Sequence, residues 1–570
     1  MAEEVWMLQT KKADFKQIGA RFRIDPVTAR IIRNRGIEGE AAIDRYLNGT
    51  LDDLYDPMLL KDMERAVSIL CEAVDIGKKI RIVGDYDIDG VCSTYILLQA
   101  FERLGSDVDF EIPDRIKDGY GINESIIEQA HADGVELILT CDNGISAFHQ
   151  VELAKKYGMT VVITDHHEVP LDGENEKIPP ADAVIDPKQA DCPYPFPEIC
   201  GAVVAYKLVQ VLYARRGVPR MEWLDLLEFA AIATVGDVMK LQDENRILVK
   251  YGLKKMAQTK NLGLRRLAEK NNLDLGAITA YHIGFVIGPC LNAGGRLKTA
   301  KEALALLRAQ SEEEAERLAE ELKELNDTRK DMTEQGTEAA KLQVESWYQK
   351  DKVLVVFLPE CHESLAGIIA GRLREYYQKP AIVLTRGEEA VKGSGRSIDE
   401  YHMFKKLTEV SDLLLKFGGH PLAAGLSLEE KNIDEFRRRL NENAGLTEED
   451  FKAKVWIDVP MPVGYVTERL VRELSCLEPF GQGNEKPLFA EKSLRIRASR
   501  VLGRNRNVVK MTLEETDGHA IEALYFGDGT AFEEERAGRR EIDVVYYPDI
   551  NEYNGRKTLQ AVIRRYKFRG

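Results

Sequence analysis

Residues 80–90 read Ile80-Arg81-Ile82-Val83-Gly84-Asp85-Tyr86-Asp87-Ile88-Asp89-Gly90, an apolar strand that ends in three alternating carboxylates and a glycine. Like charges that crowd together repel each other, and a divalent cation with oxygen ligands is the usual compensation in proteins. A solvated acidic turn is the alternative interpretation. The stretch therefore predicts a strand whose tip is a candidate metal site.

Two more segments repeat this design of a strand followed by an acidic tip. The apolar residues 136–140 lead into Cys141-Asp142-Asn143-Gly144, and residues 160–164 lead into Asp165-His166-His167. Helical stretches at 93–104 and 145–157 alternate with these strands, which favours an open parallel sheet. Ligands bind such a sheet at the carboxyl ends of its strands, so the tips should converge. Three tips, one with a histidine pair, favour a metal site over surface turns.

The rest of the chain predicts several further parts. A length of 570 residues is too great for one core and indicates three or four domains. We expect an N-terminal lead-in over 1–50, an α/β domain over 51–310 with a Pro-rich surface loop at 179–197, a long helix over 311–347 and a second α/β domain over 348–450. Residues 455–570 contain five β-like runs, at 493–501, 508–513, 520–526, 542–547 and 558–563, which indicate a small β-barrel.

Composition limits the function in several ways. The net charge of −16 argues against a polyanionic partner, although residues 491–570 hold 16 Lys and Arg against 13 Asp and Glu. The eight cysteines form no Cys-x-x-Cys pair, which favours reduced thiols. No apolar run approaches the roughly 18 residues of a membrane span, and the N-terminus does not resemble a signal peptide. We therefore expect a soluble, cytoplasmic protein with no membrane partner.

Four motifs, at residues 84–90, 142–144, 165–167 and 235–237, resemble in order and separation those of the DHH phosphoesterases. Four further segments, at 289–296, 325–329, 393–397 and 418–425, resemble the RecJ family of bacterial single-strand-specific DNA exonucleases. The resemblance covers nearly the whole chain after about residue 40. One departure is Gly236, where the family frequently has Ala. The resemblance implies a parallel-sheet DHH domain, a long helix, a DHH-associated α/β domain and a C-terminal OB-like barrel.

The resemblance also implies a catalytic site that hydrolyses phosphodiesters with two divalent cations, Mn²⁺ or Mg²⁺. The implied metal ligands are Asp85, Asp87, Asp89, Asp142, His166 and Asp237, and the implied catalytic set adds Asp165 and His167. For Asp85, an acceptor that orients a ligand is the alternative. Asp165 and His167 flank His166, and three consecutive side chains cannot all face one ion. At least one of the two flanking residues therefore orients a ligand or contacts substrate. For Asp237, a structural Asp at the end of a helix is the alternative.

A second set of residues resembles the substrate contacts of the family. It consists of Arg115, Tyr120, Asn292, Arg296, Arg329, His362, Arg372, Ser394, Arg396, Ser397, Gly418, Gly419 and His420. The stretch Gly393-Ser394-Gly395-Arg396-Ser397 offers backbone amides, two hydroxyls and a guanidinium to an anion. A solvated helix face is the alternative for Arg329 and Arg372. These residues are expected to hold substrate phosphates opposite the metal site.

The resemblance implies a 5′ to 3′ exonuclease that degrades single-stranded DNA to mononucleotides in DNA repair and recombination. Its expected partner is single-stranded DNA, with a single-stranded-DNA-binding protein and a helicase as further candidates. Candidate base platforms in the barrel are Tyr525, Phe526, Tyr546, Tyr547, Tyr553 and Tyr566, half of them expected in the core. The alternatives are a DHH phosphodiesterase of short oligoribonucleotides or cyclic dinucleotides, whose members are typically shorter, and a non-catalytic DNA-binding scaffold of the replication fork, which the intact carboxylates disfavour.

Overall fold

The computed structural model describes residues 4–117, 119, 121–553 and 555–569. These residues form two compact units. The first unit comprises residues 54–239 and 247–453, and the second comprises residues 4–53, 240–246 and 454–569. The chain therefore enters and leaves the second unit more than once.

The strands in chain order are β1 Glu4–Leu8, β2 Ile80–Val83, β3 Val108–Glu111, β4 Leu137–Cys141, β5 Thr160–Thr164, β6 Leu171–Asp172, β7 Asn175–Glu176, β8 Ala183–Ile185, β9 Leu354–Phe357, β10 Ala381–Arg386, β11 Val391–Arg396, β12 Leu414–Gly419, β13 Ala423–Leu428, β14 Ala453–Ile457, β15 Val459–Pro460, β16 Phe489–Leu502, β17 Val508–Glu514, β18 Ala520–Phe526, β19 Glu541–Tyr553 and β20 Arg556–Phe568. The helices are α1 Phe15–Phe22, α2 Pro26–Asn34, α3 Glu40–Asn48, α4 Met63–Asp75, α5 Ile88–Arg103, α6 Glu124–Ala132, α7 Phe148–Lys156, α8 Gly201–Arg215, α9 Arg220–Leu224, α10 Leu227–Gly236, α11 Asp243–Met256, α12 Leu262–Lys270, α13 Ala280–His282, α14 Gly288–Leu297, α15 Lys301–Arg308, α16 Glu312–Gln343, α17 Ala366–Tyr377, α18 Met403–Thr408, α19 Ile433–Glu442, α20 Glu468–Leu474 and α21 Gly529–Arg536. Within the described ranges, none of these helices combines the length and the apolarity that a membrane crossing requires.

A parallel sheet in the order β3-β2-β4-β5-β8 forms the first half of the first unit. Its inner strands are short and consist mostly of buried Ile, Val and Leu, as expected for strands covered on both faces. The prediction of a surface loop at 179–197 is wrong in one part. Residues 183–185 form the buried strand β8 beside β5. A three-residue apolar run between prolines is too short to be recognised as a strand by periodicity.

The predicted long helix is present as α16, followed by a π-helical turn at Val344–Tyr348. Ser311 caps its N-terminus by accepting a hydrogen bond from the amide of Glu314. Three glutamates in the first turn interact favourably with the positive end of the helix dipole. Ala315, Leu318 and Leu322 are buried at helical spacing. The helix therefore connects the two sheets of the first unit as a packed element rather than as a free linker.

The second sheet of the first unit has the order β12-β13-β11-β10-β9. Strands β9 and β10 are parallel and the other pairs are antiparallel. Residues 393–396, expected to offer backbone amides to an anion, lie in β11 between β10 and β13. The backbone amides of a strand with neighbours on both sides form ladder hydrogen bonds. That part of the expectation is therefore wrong, and only side chains of β11 remain available to a ligand.

The second unit contains a β-barrel in the order β15-β16-β17-β18-β20-β19, which β16 and β19 close by pairing with each other. The five predicted β-runs lie in β16 to β20, which confirms the OB-like fold. The N-terminal lead-in belongs to the same core: Ile31, Ile32 and Tyr46 pack in one hydrophobic cluster with barrel residues such as Phe489. The first fifty residues therefore have a structural role that the sequence did not indicate.

Candidate metal centre

The acidic tips of β2, β4 and β5 converge, as the parallel sheet predicts. Asp85 follows β2, Asp142 follows β4 and Asp165 follows β5, and all three are buried. Asn143 connects two of the tips, because its side-chain amide donates to the carbonyl oxygens of Val83 at 3.1 Å and Cys141 at 2.9 Å. The strand ends therefore form one site.

Helix termini position two of the carboxylates. Asp87 is the N-cap of α5, and its Oδ1 accepts from the amide of Asp89 at 2.9 Å. The buried carboxylate of Asp89 in turn accepts from the amides of Gly201 at 2.7 Å and Ala202 at 2.8 Å, at the start of α8. A helix N-terminus stabilises negative charge. The side chain of Asp89 is therefore held in one fixed orientation.

His166 lies at the centre of the cluster. Its Nε2 is 3.0 Å from Asp142 Oδ1, 3.4 Å from Asp89 Oδ2 and 3.8 Å from Asp237 Oδ2. Three overlapping groups have ligand atoms close enough together to hold an ion, namely Asp142, His166 and His167, then Asp89, His166 and Asp237, and finally Asp85, Asp87 and Asp142. The structure thus brings together all six predicted metal ligands.

The cluster is electrostatically unfavourable without a cation. Burial, reinforced by the charge of Asp87, raises the pKa of Asp85 to about 8. Burial and the neighbouring aspartates also raise the pKa of Asp142 and of Asp237 well above the usual value. Carboxylate-rich sites of this kind, with one imidazole, match the ligand preference of Mg²⁺ and Mn²⁺. The donor set therefore fits the expected ions.

Asp165 and His167 form a supporting pair. Asp165 Oδ1 is 2.7 Å from His167 Nδ1, and Asp165 Oδ2 accepts from the amide of Ile145 at 2.9 Å. Burial favours neutral forms of both groups, but the hydrogen bond and opposite charges lower the pKa of Asp165 and raise that of His167 to about 9. Of the two roles that the sequence left open for Asp165, this geometry supports orientation of the neighbouring ring.

Asp237 reaches the cluster from a helix instead of a strand. It is the C-cap of α10, so it is both the helix-end Asp of the alternative interpretation and a neighbour of His166. The departure from the family at Gly236 has a steric cause. A Cβ on Gly236 would lie 2.6 Å from Cγ2 of Ile88. Ile88 occupies the space that an alanine would need.

Sequence reasoning missed a fourth acidic strand end. Asp186 follows β8, is buried, and accepts from the amide of Lys188 at 2.8 Å through Oδ1. Burial and the charge of Asp165 raise the pKa of Asp186 to about 8. The rule that found the other three tips applies here too, but the strand before Asp186 lay in the segment predicted to be a surface loop.

Several predicted substrate contacts form an arginine cluster, defined here as Arg115, Arg296, Arg329 and Arg396. Burial, with the charges of Arg115 and Arg329, lowers the pKa of Arg296 to about 10. Burial and the charges of Arg374 and Arg115 lower the pKa of Arg396. The guanidinium of Arg115 also lies 4.7 Å from the ring centroid of Tyr86, beside the metal ligands. The cluster is suited to a polyanion.

Hydrogen bonds fix two members of the arginine cluster, Arg296 and Arg396. Arg296 Nη1 donates to the carbonyl of Ser364 at 3.0 Å, and Ser364 Oγ is 2.7 Å from His362 Nδ1. Arg396 Nη1 is 3.2 Å from Ser394 Oγ. The buried Oδ1 of Asn292 has no hydrogen-bond partner within the described ranges. An unpaired buried acceptor is uncommon and is consistent with a ligand contact.

Other predicted substrate contacts lie elsewhere. The hydroxyl of Ser397 differs from expectation, because it is buried and donates to the carbonyl of Tyr401 at 2.5 Å, where it fixes the turn after β11. Arg372 is exposed on α17, and its charge adds to partial burial in lowering the pKa of Arg329. Gly418, Gly419 and His420 are exposed at the end of edge strand β12. Tyr120 lies outside the described residues. The substrate roles of these positions stay predictions.

The predicted base platforms of the barrel divide unequally. Tyr546 and Tyr547 are buried in the core, and Tyr525 and Tyr566 pack edge to face within an aromatic group. Among the predicted platforms whose side chains the structure describes, Phe526 is the exposed one, at 60%. The side chain of Tyr553 lies outside the described set. Two of the six predicted rings, Tyr546 and Tyr547, are therefore buried core residues, and Tyr525 and Tyr566 pack partly buried against the same core.

Comparison with known families and proteins gives a consistent assignment. Residues 79–234 match the DHH family N-terminal domain, residues 350–445 the DHHA1 domain and residues 457–565 the RecJ OB domain. The single-stranded-DNA-specific exonuclease RecJ of Bacillus subtilis is 36% identical over 564 residues, covering 98% of this chain and 70% of that protein. The RecJ of Escherichia coli is 34% identical and covers 95% of each chain.

The solved structures agree with the sequence comparisons. The crystal structure of Thermus thermophilus RecJ with Mn²⁺ superimposes with a TM-score of 0.84 at 29% identity, covering 99% of this chain and 79% of that one. Its complex with Mg²⁺ gives a TM-score of 0.79 at 28% identity and covers 99% and 78%. The order of domains, the near full-length identity and the shared architecture lead to one conclusion: this chain belongs to the RecJ family, within the DHH family.

Proposed function

We propose that this chain hydrolyses single-stranded DNA from the 5′ end and releases mononucleotides, using two divalent cations, Mn²⁺ or Mg²⁺. The observation that carries the proposal is that Asp142 and His166 each belong to two groups of metal-ligating side chains. Two ions that share ligands require such an arrangement. The Bacillus subtilis and Escherichia coli relatives are named single-stranded-DNA-specific exonucleases. Polarity and product rest on the resemblance to the family.

In this proposal the six ligand side chains hold the ions, and the surrounding residues fix their orientation. Bound divalent cations supply Lewis-acid activation of a water and neutralise phosphate oxygens. The amides of Gly201 and Ala202 hydrogen-bond both carboxylate oxygens of Asp89 and so fix its orientation. Asp165 accepts from Nδ1 of His167 and so sets the orientation of that ring. Burial opposes the charged form, but this hydrogen bond and the charge of Asp165 raise the pKa of His167 to about 9 in the metal-free protein.

The arginine cluster holds the phosphates of the strand in this proposal. Arginine offers paired N–H donors that match phosphate oxygens. Burial and the neighbouring positive charges lower the pKa of Arg296, and an anionic ligand would offset both effects by pairing with the guanidinium. Among the predicted contacts, Arg115, Arg296, Arg396, Ser394 and Asn292 have the strongest geometric support. The OB-like barrel of the second unit holds further nucleotides, with Phe526 as a base platform.

We also propose a cytoplasmic location and two protein partners, a single-stranded-DNA-binding protein and a helicase. A nuclease that accepts only single strands depends on a helicase that separates the duplex. It also meets the proteins that bind the separated single strand. Copurification from cell extract with and without nuclease treatment tests both partners. Partners that disappear on nuclease treatment are held by DNA rather than by this protein.

The test of the activity is digestion of a 5′-labelled single-stranded oligonucleotide with Mn²⁺ or Mg²⁺. Matched reactions contain its duplex, its RNA counterpart, a dinucleotide and a cyclic dinucleotide. We expect a labelled mononucleotide as the first product from single-stranded DNA. A ladder of labelled fragments that shorten one nucleotide at a time would show that cleavage starts at the 3′ end instead. Faster cleavage of the RNA or of either dinucleotide would favour the short-substrate phosphodiesterase, and binding without cleavage would favour the non-catalytic scaffold.

A further inference from the structure

One helical face runs from the arginine cluster to an exposed pair of aromatic rings. The face, called the 281–296 face, consists of Tyr281, Phe285, Pro289, Asn292 and Arg296. Their spacings of four, four, three and four residues place them on one side of the continuous helix formed by α13, the π-helical turn Ile283–Ile287 and α14. Asn292 and Arg296 belong to the proposed substrate grip. The function proposed above does not use the rest of the face.

The aromatic pair is unusual for a protein surface. Tyr281 and Phe285 are 63% and 67% exposed. Their rings are stacked, with centroids 4.8 Å apart and an angle of 28° between the planes. Adjacent exposed large apolar side chains frequently mark a binding surface. Stacking of the two rings against each other leaves an outer ring face accessible to a further planar group.

Glycines place this helix directly against the metal centre. A Cβ on Gly284 would lie 3.6 Å from Val235, two residues before Asp237, and one on Gly288 would lie 3.3 Å from Ile88, between Asp87 and Asp89. Farther along, a Cβ on Gly295 would lie 2.2 Å from the carbonyl oxygen of Tyr86. The helix therefore passes along the site, with the arginine cluster at one end and the aromatic pair at the other.

We infer that Tyr281 and Phe285 form a stacking platform for bases of the bound single strand on the 3′ side of the cleavage site. The inference rests on the function proposed above. Phe285 and Arg296 are eleven residues apart, or about 16 Å along a helix. A strand with roughly 3.4 Å between stacked nucleotides covers that distance in about five nucleotides. The platform thus receives bases within about five nucleotides of the 5′ end.

Single-strand bases fit this surface better than a duplex does. Every unpaired base has an accessible π face, and stacking on an aromatic side chain does not depend on its sequence. The bases of a duplex already stack on their neighbours and offer the protein only their edges and the backbone. The platform therefore contributes to the preference for single strands as well as to affinity, and its loss should affect long strands more than very short ones.

The test compares the double variant Tyr281→Ala/Phe285→Ala with the control Trp347→Ala. Trp347 is 71% exposed on the other π-helical turn of the first unit, Val344–Tyr348. Fluorescence polarisation in EDTA measures binding of a twelve-nucleotide strand, of the same strand with abasic sites at nucleotides three to five, and of a dinucleotide. Alanine substitution of a stacking residue weakens binding by roughly tenfold per base.

We expect the double variant to bind the intact twelve-nucleotide strand about 10 to 100 times more weakly than the wild type, and the control to bind it normally. Wild type should bind the abasic strand as weakly as the variant binds either strand. The inference is overturned if the double variant binds the intact strand normally, if it still discriminates against the abasic strand, or if it loses as much affinity for the dinucleotide.

A parallel digestion in Mn²⁺ separates this inference from the proposed function. If the wild type binds the strand but releases no nucleotide, the exonuclease proposal fails while the binding comparison still decides on the platform. If the wild type releases nucleotides and the variant keeps full affinity for the intact strand, the platform fails and the exonuclease proposal stands. Melting curves of both variants should match wild type, because the substituted rings are exposed.

Discussion

The first unit contains two clusters of like charge, and they differ in how they are held. The carboxylates of the metal centre are buried, and burial with mutual repulsion raises the pKa of Asp85 to about 8. The arginines cannot lose their charge so readily, and the guanidiniums of Arg296 and Arg396 instead donate to neighbouring oxygens at 2.8 to 3.0 Å. A cation is therefore needed to compensate the charge of the carboxylates, whereas Arg296 and Arg396 are hydrogen-bonded to neutral oxygens of the protein.

Of the two clusters, the carboxylates depend on a bound ligand for their stability and the arginines do not. Repulsion among buried carboxylates destabilises the folded protein until a cation neutralises it. Arginines bonded to carbonyl and hydroxyl oxygens are partly satisfied without any anion. We therefore expect substitutions at the metal centre to change activity and stability in opposite directions, and substitutions in the arginine cluster to change mainly substrate affinity.

The largest effect should come from Asp142→Asn. This change removes a charge shared by two groups of ligands, so hydrolysis should fall by at least about a thousandfold, because bound metal contributes several kcal/mol to the transition state. The metal-free variant should melt at a higher temperature than the metal-free wild type, since burial and the neighbouring aspartates raise the pKa of Asp142 and so reduce the stability of the folded protein above the usual pKa of an aspartate. Oligonucleotide digestion measures hydrolysis, calorimetry measures the melting temperature and elemental analysis measures the metal content. Asp191→Asn, at an exposed ion pair with Lys61, is the control. Near wild-type turnover with normal metal content would contradict the assignment.

Glu228→Gln tests a buried carboxyl that belongs to neither cluster. Glu228 is 3% exposed, and burial raises its pKa from 4.5 to about 7, although it accepts from the hydroxyl of Thr259 at 2.7 Å. A raised folded-state pKa means that stability is lost as pH rises from about 4.5 to about 7. The variant should remove this loss and be more stable by roughly 3 kcal/mol at pH 8. Urea unfolding at pH 5 and pH 8 measures the free energy of unfolding of both proteins. An equal pH dependence of this free energy in both proteins would refute the prediction.

Arg396→Ala tests the second cluster. Loss of a charged hydrogen-bond donor should weaken binding of single strands about 10 to 100 times, while metal content stays at the wild-type value. Titration calorimetry with Mn²⁺ and polarisation with a labelled strand separate the two readouts. Arg386→Ala removes an exposed arginine paired with Glu430 and serves as control. Loss of bound metal in Arg396→Ala would move this residue into the metal centre and remove the contrast between the clusters.

Gly236→Ala tests the packing beneath the metal centre. The new methyl group would collide with Ile88, so we expect destabilisation of about 1 to 3 kcal/mol and weaker metal binding through displacement of Asp237. The double variant Ile88→Ala/Gly236→Ala should recover most of both losses, because the smaller side chain makes room. Thermal unfolding of the four proteins of the cycle measures the coupling. Additive effects of the two substitutions would show that the contact is not the reason for glycine here.

The smallest effect should come from Phe526→Ala in the second unit. Loss of one stacked base should weaken binding of a long single strand roughly tenfold and leave cleavage of a dinucleotide as in wild type within error. Tyr546→Ala is unsuitable as a comparison because that ring is core. Truncation before the barrel is also unsuitable, since it would expose Ile31 and Ile32 of the N-terminal helices, which share its core. Unchanged affinity for the long strand would exclude Phe526 as a platform.

Much of the metal centre was predictable because parallel strands end at the same edge of a sheet. That rule brought Asp85, Asp142 and Asp165 together from three separate segments of sequence. It failed for Asp186, because the three residues of β8 give too little periodicity to identify a strand. The local pattern also gave a wrong prediction for residues 393–396, whose glycines are typical of a loop. They lie in the central strand β11, where the absence of a side chain lets neighbouring residues approach closely. A Cβ on Gly393 would lie 2.6 Å from Leu384.

The sequence alone determined the α/β class, the long helix, the β-barrel and the chemistry of the acidic tips, because each depends on local periodicity or on residue type. Which atoms meet was not visible before the packing of the elements was known. This packing placed Asp237 against His166 from a helix end, turned the hydroxyl of Ser397 inward and joined the N-terminal helices to the barrel. It also aligned Tyr281 and Phe285 with Arg296 through a π-helical turn. These outcomes depend on packing between distant segments, which competing contacts settle and which no local pattern encodes.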